Sequence, residues 1–138
     1  MSDPHIEMTG VIGLQILQVW PEASKLLEPA LINGDTLDKV LKRLISRQAQ
    51  LWIAATGDEL QAACVTEIYK RDNRAVCGIW LAGGKGLNNW LHFLPTIEEW
   101  AASQKCTAVV ISETRPGWRR LLDGYRTERI TLVKELGA

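Results

Sequence analysis

The sequence predicts an α/β protein: a mixed, mostly antiparallel central sheet with helices packed on it, in the order β-α-α-β-β-β-α-β-α-β. Three observations predict it. Residues 37–45 place Leu37, Val40, Leu41, Leu44 and Ile45 on one face, the stripe of an amphipathic helix. Three apolar runs between residues 51 and 81 are divided by short polar stretches, the signature of an antiparallel meander. A helical pattern at Leu87, Trp90, Leu91, Leu94, Ile97 and Ala101 then leads into the β-branched run TAVVIS, so a helical crossover returns the chain to a strand parallel to its neighbour.

Each element has a local reason. Residues 1–8 read as a polar, flexible leader and residues 11–19 (VIGLQILQV) as a first strand, by their alternation. Pro21 suits the first turn of a following helix, whose apolar face is Leu26, Leu27, Ala30 and Leu31, with Pro29 kinking or shortening it. Asn33-Gly34 ends that element. Asp35 is positioned to cap the second helix, and Asp38 falls in its first turn, where negative charge is favoured. Lys39, Lys42 and Arg43 occupy the polar face.

The meander strands are Leu51–Thr56, Leu60–Tyr69 and Ala75–Leu81, joined at Thr56–Glu59 and through the polar reversal KRDNR. Gly83-Gly84-Lys85-Gly86 breaks the chain before the helical 87–104 segment, which Pro95 makes either one kinked helix or two; Thr96 with Glu99 resembles a capping box and favours a restart there. Thr107–Ser112 reads as a buried strand, Pro116–Leu122 as a short helix ending at Gly124, and Arg126–Leu136 as a last strand.

Composition bounds the function. The chain has 138 residues, 46% hydrophobic and 23% charged, with a net charge of +0, which fits one globular domain spanning 1–138 and excludes wholesale disorder. Its apolar stretches are well short of the roughly 20 residues of a membrane helix. No charged segment precedes an apolar core at the N-terminus, so no secretory signal is expected and the location predicted is cytoplasmic. Zero net charge argues against coating nucleic acid by bulk electrostatics.

Cys64, Cys77 and Cys106 each sit in or beside an apolar run, and no CxxC pair is present. They read as small core residues in a reducing compartment, and no metal site is expected. A nucleophilic thiol needs a base, and nothing in the sequence pairs His5 or His92 with a cysteine.

Six tryptophans are present; Trp52, Trp80 and Trp90 fall in apolar elements and read as core, whereas Trp20, Trp100 and Trp118 stand at element ends. Trp118 lies within the densest basic stretch, RPGWRRLLDGYRTER, beside Arg115, Arg119 and Arg120. Arginine next to an aromatic suits phosphate contacts, a protein interface or base stacking, and equally a solvated helix. These four residues are the candidate substrate- or partner-binding set.

The element order resembles the GNAT N-acetyltransferase fold over nearly the whole chain. Three features carry the resemblance: the glycine turn Gly83-Gly84-Lys85-Gly86 between strand and helix, the strand KCTAVVI after the central helix, and the Gly124-Tyr125 step before the last strand. The family pattern Gln/Arg-x-x-Gly-x-Gly/Ala aligns with Gly84 and Gly86 and places Leu81 where Gln or Arg is expected. The resemblance implies that Gly83, Gly84, Lys85, Gly86 and Leu87 bind the pyrophosphate of acetyl-CoA through backbone N–H groups at a helix start; the other reading is a tight turn needing positive φ. It implies acyl transfer to an unknown amine. Glu67, on the second meander strand, is the candidate base, or else a surface residue paired with Lys or Arg. Arg120 stands where many members have a tyrosine acid, so activity would rest mainly on proximity.

The Trp-Pro first helix, the strands LW and VTEI, and the segments EEWA and RPGW also look like compact GNAT-like proteins of tailed bacteriophages. That resemblance implies an alternative: a non-catalytic protein of this fold, a virion or internal structural component with a phage structural protein as partner. A third reading is an arginine-driven binder of protein or nucleic acid that needs no CoA.

Overall fold

The computed structural model describes residues 7–31, 34–57, 59–84, 93–111, 126–128 and 131–136. Its elements are β1 (Glu7–Val11), α1 (Gln15–Leu27), a 3-10 turn (Glu28–Ala30), α2 (Leu37–Ile45), β2 (Gln50–Thr56), β3 (Glu59–Arg71), β4 (Arg74–Gly84), α3 (Phe93–Ser103), β5 (Ala108–Ile111), β6 (Arg126–Glu128) and β7 (Thr131–Glu135). The strands form one sheet in the order β1-β2-β3-β4-β5-β7-β6. All neighbours are antiparallel except β4 and β5, which are parallel, as a helical crossover between them requires.

The meander strands extend a little beyond their expected bounds. Asp72 and Asn73 adopt positive φ (52° and 65°) between paired Arg71 and Arg74, the two-residue turn whose twist matches a hairpin. Gly57, at φ 60°, turns the chain between Thr56 and Glu59.

The N-terminal region departs from the sequence expectation. Glu7 and Met8 belong to β1, and residues 15–19 are helical rather than extended. Ile16, Ala23 and Leu27 are buried, spaced seven and four apart, while Ile12, Leu14 and Leu17 are exposed. Short alternation in QILQV was consistent with either period, and burial selected the helical one. Pro21 is therefore inside α1 rather than in its first turn, so no N–H from residue 21 bonds back to the preceding turn. Pro29 shortens the helix as expected, by opening a 3-10 turn.

Thr36, not Asp35, caps α2: its hydroxyl accepts from Lys39 N at 3.1 Å. Ile45, expected in the apolar stripe, is exposed past the contact with the sheet. Pro95 is the third residue of α3, where a missing N–H costs nothing, and Thr96 lies inside the helix rather than at its cap. The expected last strand is two strands, β6 and β7, paired antiparallel with Glu128 opposite Thr131. The short helix expected at 116–122 and the step Gly124-Tyr125 lie outside the described residues.

Two apolar layers cover the sheet. On one face α1 and α2 pack Ala23, Leu27, Val40 and Leu44 against Val11, Leu51, Val65 and Leu81. On the other, α3 packs Leu94, Ile97 and Ala101 against Trp52, Cys64, Cys77, Ile79, Val109 and Ile111. Alternation along each central strand divides its side chains between these layers. Among the described residues, no helix is long and apolar enough to cross a membrane.

Candidate functional site

The described pairing of β4 with β5 is short. Val76–Ile79 pair with Ala108–Ile111, and beyond Ile79 the rest of β4 pairs only with β3 among the described residues. The β3–β4 register skips one residue at that level: Thr66 is opposite Ile79 and Val65 is opposite Leu81, which leaves Trp80 as the extra residue of a β-bulge. A bulge bends its strand and increases its local twist, and this one falls at the residue after the last described β4–β5 pair. The backbone N–H and C=O groups of β4 on that side, from Trp80 to Gly84, have no strand partner among the described residues.

A polar chain stands beside the bulge on the α1/α2 face. Trp80, partly buried against the α1/α2 core, donates from Nε1 to Asp35 Oδ2 at 3.3 Å. The Arg43 guanidinium lies 5.4 Å from the Trp80 ring centroid and donates from Nη2 to Glu67 Oε2 at 2.7 Å. Glu67 is opposite Gly78, whose missing side chain leaves room for the Tyr69 ring; a Cβ there would lie 2.6 Å from Tyr69 Cε1. Glu67 Oε1 has no hydrogen-bond partner among the described residues, so one oxygen of a half-buried carboxylate is available to accept a proton.

The sequence-predicted residues divide sharply. Glu67 is in this chain, paired with Arg43. Gly83 and Gly84 are the last residues of β4 and not part of a loop. Packing accounts for both: a Cβ on Gly83 would meet the Leu26 carbonyl oxygen of α1 at 1.9 Å, and one on Gly84 would meet Ala62 Cβ and Gln61 O at 2.8 Å. Lys85, Gly86, Leu87, Arg115, Trp118, Arg119 and Arg120 lie outside the described residues. Leu81 is buried in the α1/α2 core.

Sequence reasoning missed Arg43, Asp35 and Trp80 as a group. Arg43 read as a solvated helix residue and Asp35 as a cap, and only long-range contacts with Glu67 and Trp80 bring them to the sheet. The signal for the bulge is a one-residue excess in the register count, which a single sequence does not display.

The cysteines are core residues. Cys64, Cys77 and Cys106 are free and buried. Burial pushes the Cys77 thiol up to about 12, with Cys106 adding to it, and burial raises Cys64 and Cys106 as well. Such thiols are not nucleophiles at neutral pH. Among the described residues, no group of three His, Cys, Asp or Glu side chains is placed to hold a metal ion.

No family model matches the sequence, and no curated protein matches it. Solved structures do match the fold. The ribosomal-protein-S18-alanine N-acetyltransferase of Escherichia coli superposes with a TM-score of 0.73 at 6% identity, covering 97% of this chain and 96% of that one. A GNAT family acetyltransferase from Brucella melitensis, in complex with acetyl-CoA, superposes at 0.71 with 9% identity, covering 99% and 91%. A GNAT family acetyltransferase from Elizabethkingia anophelis with acetyl-CoA bound gives 0.68 at 18% identity, covering 98% and 100%. The chain has the GNAT fold, as its element order led one to expect.

Proposed function

We propose that this protein is an N-acyltransferase that takes an acyl group from acetyl-CoA and transfers it to an amine. The observation that carries the reading is the bulge at Trp80, just past the last described β4–β5 pair, with Glu67 on the adjacent strand. An extended, amide-bearing chain would fit the edge of β4 from Trp80 to Gly84, which has no strand partner on that side among the described residues, because those backbone groups can pair as a strand's do. Two structural neighbours of this fold hold acetyl-CoA, which supports the same ligand here.

The chain's own residues divide the work. The β4 edge would hold the pantetheine arm, and Lys85 with Gly86 and Leu87 would meet the pyrophosphate at the start of the crossover. Acetyl-CoA, when bound, supplies the acyl group as an activated thioester. As the amine nitrogen bonds to the thioester carbonyl carbon and the C–S bond breaks, Glu67 would take the amine proton on Oε1 and the departing thiolate would be protonated by solvent, while Arg43 holds Oε2 and fixes the carboxylate's orientation. Asp35 anchors the Trp80 indole through Nε1, and the ring in turn supports the Arg43 guanidinium. Orientation of the amine beside the thioester contributes the larger part of the rate in a site without a dedicated acid.

Leu81 favours a second reading. A buried leucine at the position where the family pattern carries Gln or Arg fits a protein that keeps the fold and uses it to bind a partner. The virion role implied by the phage resemblance belongs to this reading.

Two measurements separate the readings. Thermal unfolding with acetyl-CoA at about 100 times its dissociation constant is expected to gain roughly 2.7 kcal/mol of stability. Thiol release from acetyl-CoA is then followed across a panel of primary amines, including a peptide N-terminus and a polyamine. A stability gain with amine-dependent release supports the transferase. A folded sample that neither gains stability nor releases thiol at millimolar acetyl-CoA supports the binding protein.

A further inference from the structure

A concavity lies at the β1/β2 edge of the sheet, where β1 runs into α1 and α2 runs into β2. It has a volume of about 580 Å³, within the range of small-molecule sites. β3 stands between it and Trp80 on β4, so it is separate from the proposed transfer site.

Its lining is apolar apart from two residues. Ile16, Leu44 and Leu51 come from one face of the sheet, and Trp52 with Trp100 from the other. The two indoles meet edge to face, with centroids 5.3 Å apart and planes at 75°. Ile12 is part of the lining and is 78% exposed, an apolar side chain left facing water beside an apolar cavity.

The two polar residues of the lining, Arg47 and Gln50, both present donors. No carboxylate pairs with Arg47 among the described residues. A relay fixes Gln50: Trp52 Nε1–H donates to Thr66 Oγ1 at 3.0 Å, and the Thr66 hydroxyl donates to Gln50 Oε1 at 3.0 Å. With the amide oxygen occupied, the Gln50 NH₂ is the end left to bond a ligand. An arginine and a glutamine in the lining of an otherwise apolar cavity are complementary to an anion on an apolar body.

We propose that this cavity binds a small apolar carboxylate, its carboxylate held by Arg47 and Gln50 and its hydrocarbon packed on Trp52 and Trp100. Arg47 is well suited to a test. It follows α2 with a left-handed backbone at φ 65°, a conformation in which glycine is more at ease. Arg47→Gly therefore removes the cation and relaxes the backbone together.

The probe is decanoate below its micelle concentration, with decanol as the uncharged counterpart, each titrated by calorimetry into the full chain. Decanoate is expected to bind more tightly than decanol. Arg47→Gly is expected to weaken decanoate about tenfold or more, leave decanol unchanged and keep or raise the unfolding midpoint. Arg47→Asn, which tolerates the same backbone, provides the same comparison should the glycine variant fail to fold. Equal affinity for decanoate and decanol, or decanoate affinity unaltered by the Arg47 substitutions, overturns the carboxylate assignment. No binding of either compound overturns the site.

Discussion

Arg43 on α2 donates to Glu67 on β3 at 2.7 Å, across 24 residues of sequence, so a carboxylate of the sheet is oriented from the helix layer. The pair is partly exposed, and its contribution to stability is small, under about 1 kcal/mol. Its contribution to the proposed reaction is larger. Glu67→Gln keeps the side chain's shape and removes the proton acceptor, and a loss of about 100-fold in acyl transfer is expected with little change in the urea midpoint. Thiol release at saturating acetyl-CoA measures it. An undiminished rate would assign proton removal to another group.

Gly83 is a packing residue before it is anything else. An added Cβ would lie 1.9 Å from the Leu26 carbonyl oxygen, a backbone atom that cannot move without shifting α1. Gly83→Ala is expected to destabilise the fold by about 1–3 kcal/mol or more, read as a lowered urea midpoint. An unchanged midpoint would mean that α1 sits farther from β4. Loss of acetyl-CoA binding in that variant would report on folding, so Lys85→Glu is the better probe of the turn: lower affinity at an unchanged midpoint is its expected result.

How much of this was legible in the sequence depended on which residues set each element. The meander could be read because polar turns bound its strands, and α2 because Val40 and Leu44 repeat at helical spacing. The N-terminal strand was misplaced because Leu14, Ile16 and Leu17 suit either period until burial chooses. The reversal between β6 and β7 lacked a signal, since Glu128-Arg129-Ile130-Thr131 contains neither glycine nor proline. Within the candidate site, Glu67 was visible as a carboxylate on a strand. Its partner Arg43 and the bulge at Trp80 were not, because both arise from long-range packing and register.

The buried thiols set an alkaline limit on stability. Cys77 rises from its ordinary 9.0 to about 12 in the folded chain because burial disfavours the thiolate, and Cys64 and Cys106 move the same way. The folded state therefore holds protons that the unfolded state releases above pH 9. This stabilising preference for the neutral thiol is fully present below that value and is lost progressively as pH rises from 9 towards 12. The slope is up to about 1.4 kcal/mol per pH unit for each thiol. Urea unfolding from pH 8 to 11 checks it, and Cys77→Ala is expected to flatten the decline. An identical decline in that variant would place its origin elsewhere.

Thr66 is the one polar residue fully buried among those described, and it serves two neighbours. Its hydroxyl accepts from the buried Trp52 indole and donates to Gln50. Thr66→Val has nearly the same volume but leaves the Trp52 N–H without an acceptor, a cost of about 1–3 kcal/mol. Thr66→Ser removes a methyl group and retains both bonds. Ordinary packing logic would rank serine as the worse substitution, so the reverse order in urea unfolding is the diagnostic outcome. The same pair tests the cavity beside them. Valine frees the Gln50 amide to rotate its oxygen towards the ligand, so decanoate affinity is expected to fall in Thr66→Val and to persist in Thr66→Ser. Equal affinities in the two variants would remove Gln50 from the carboxylate contact and leave Arg47 to hold it alone.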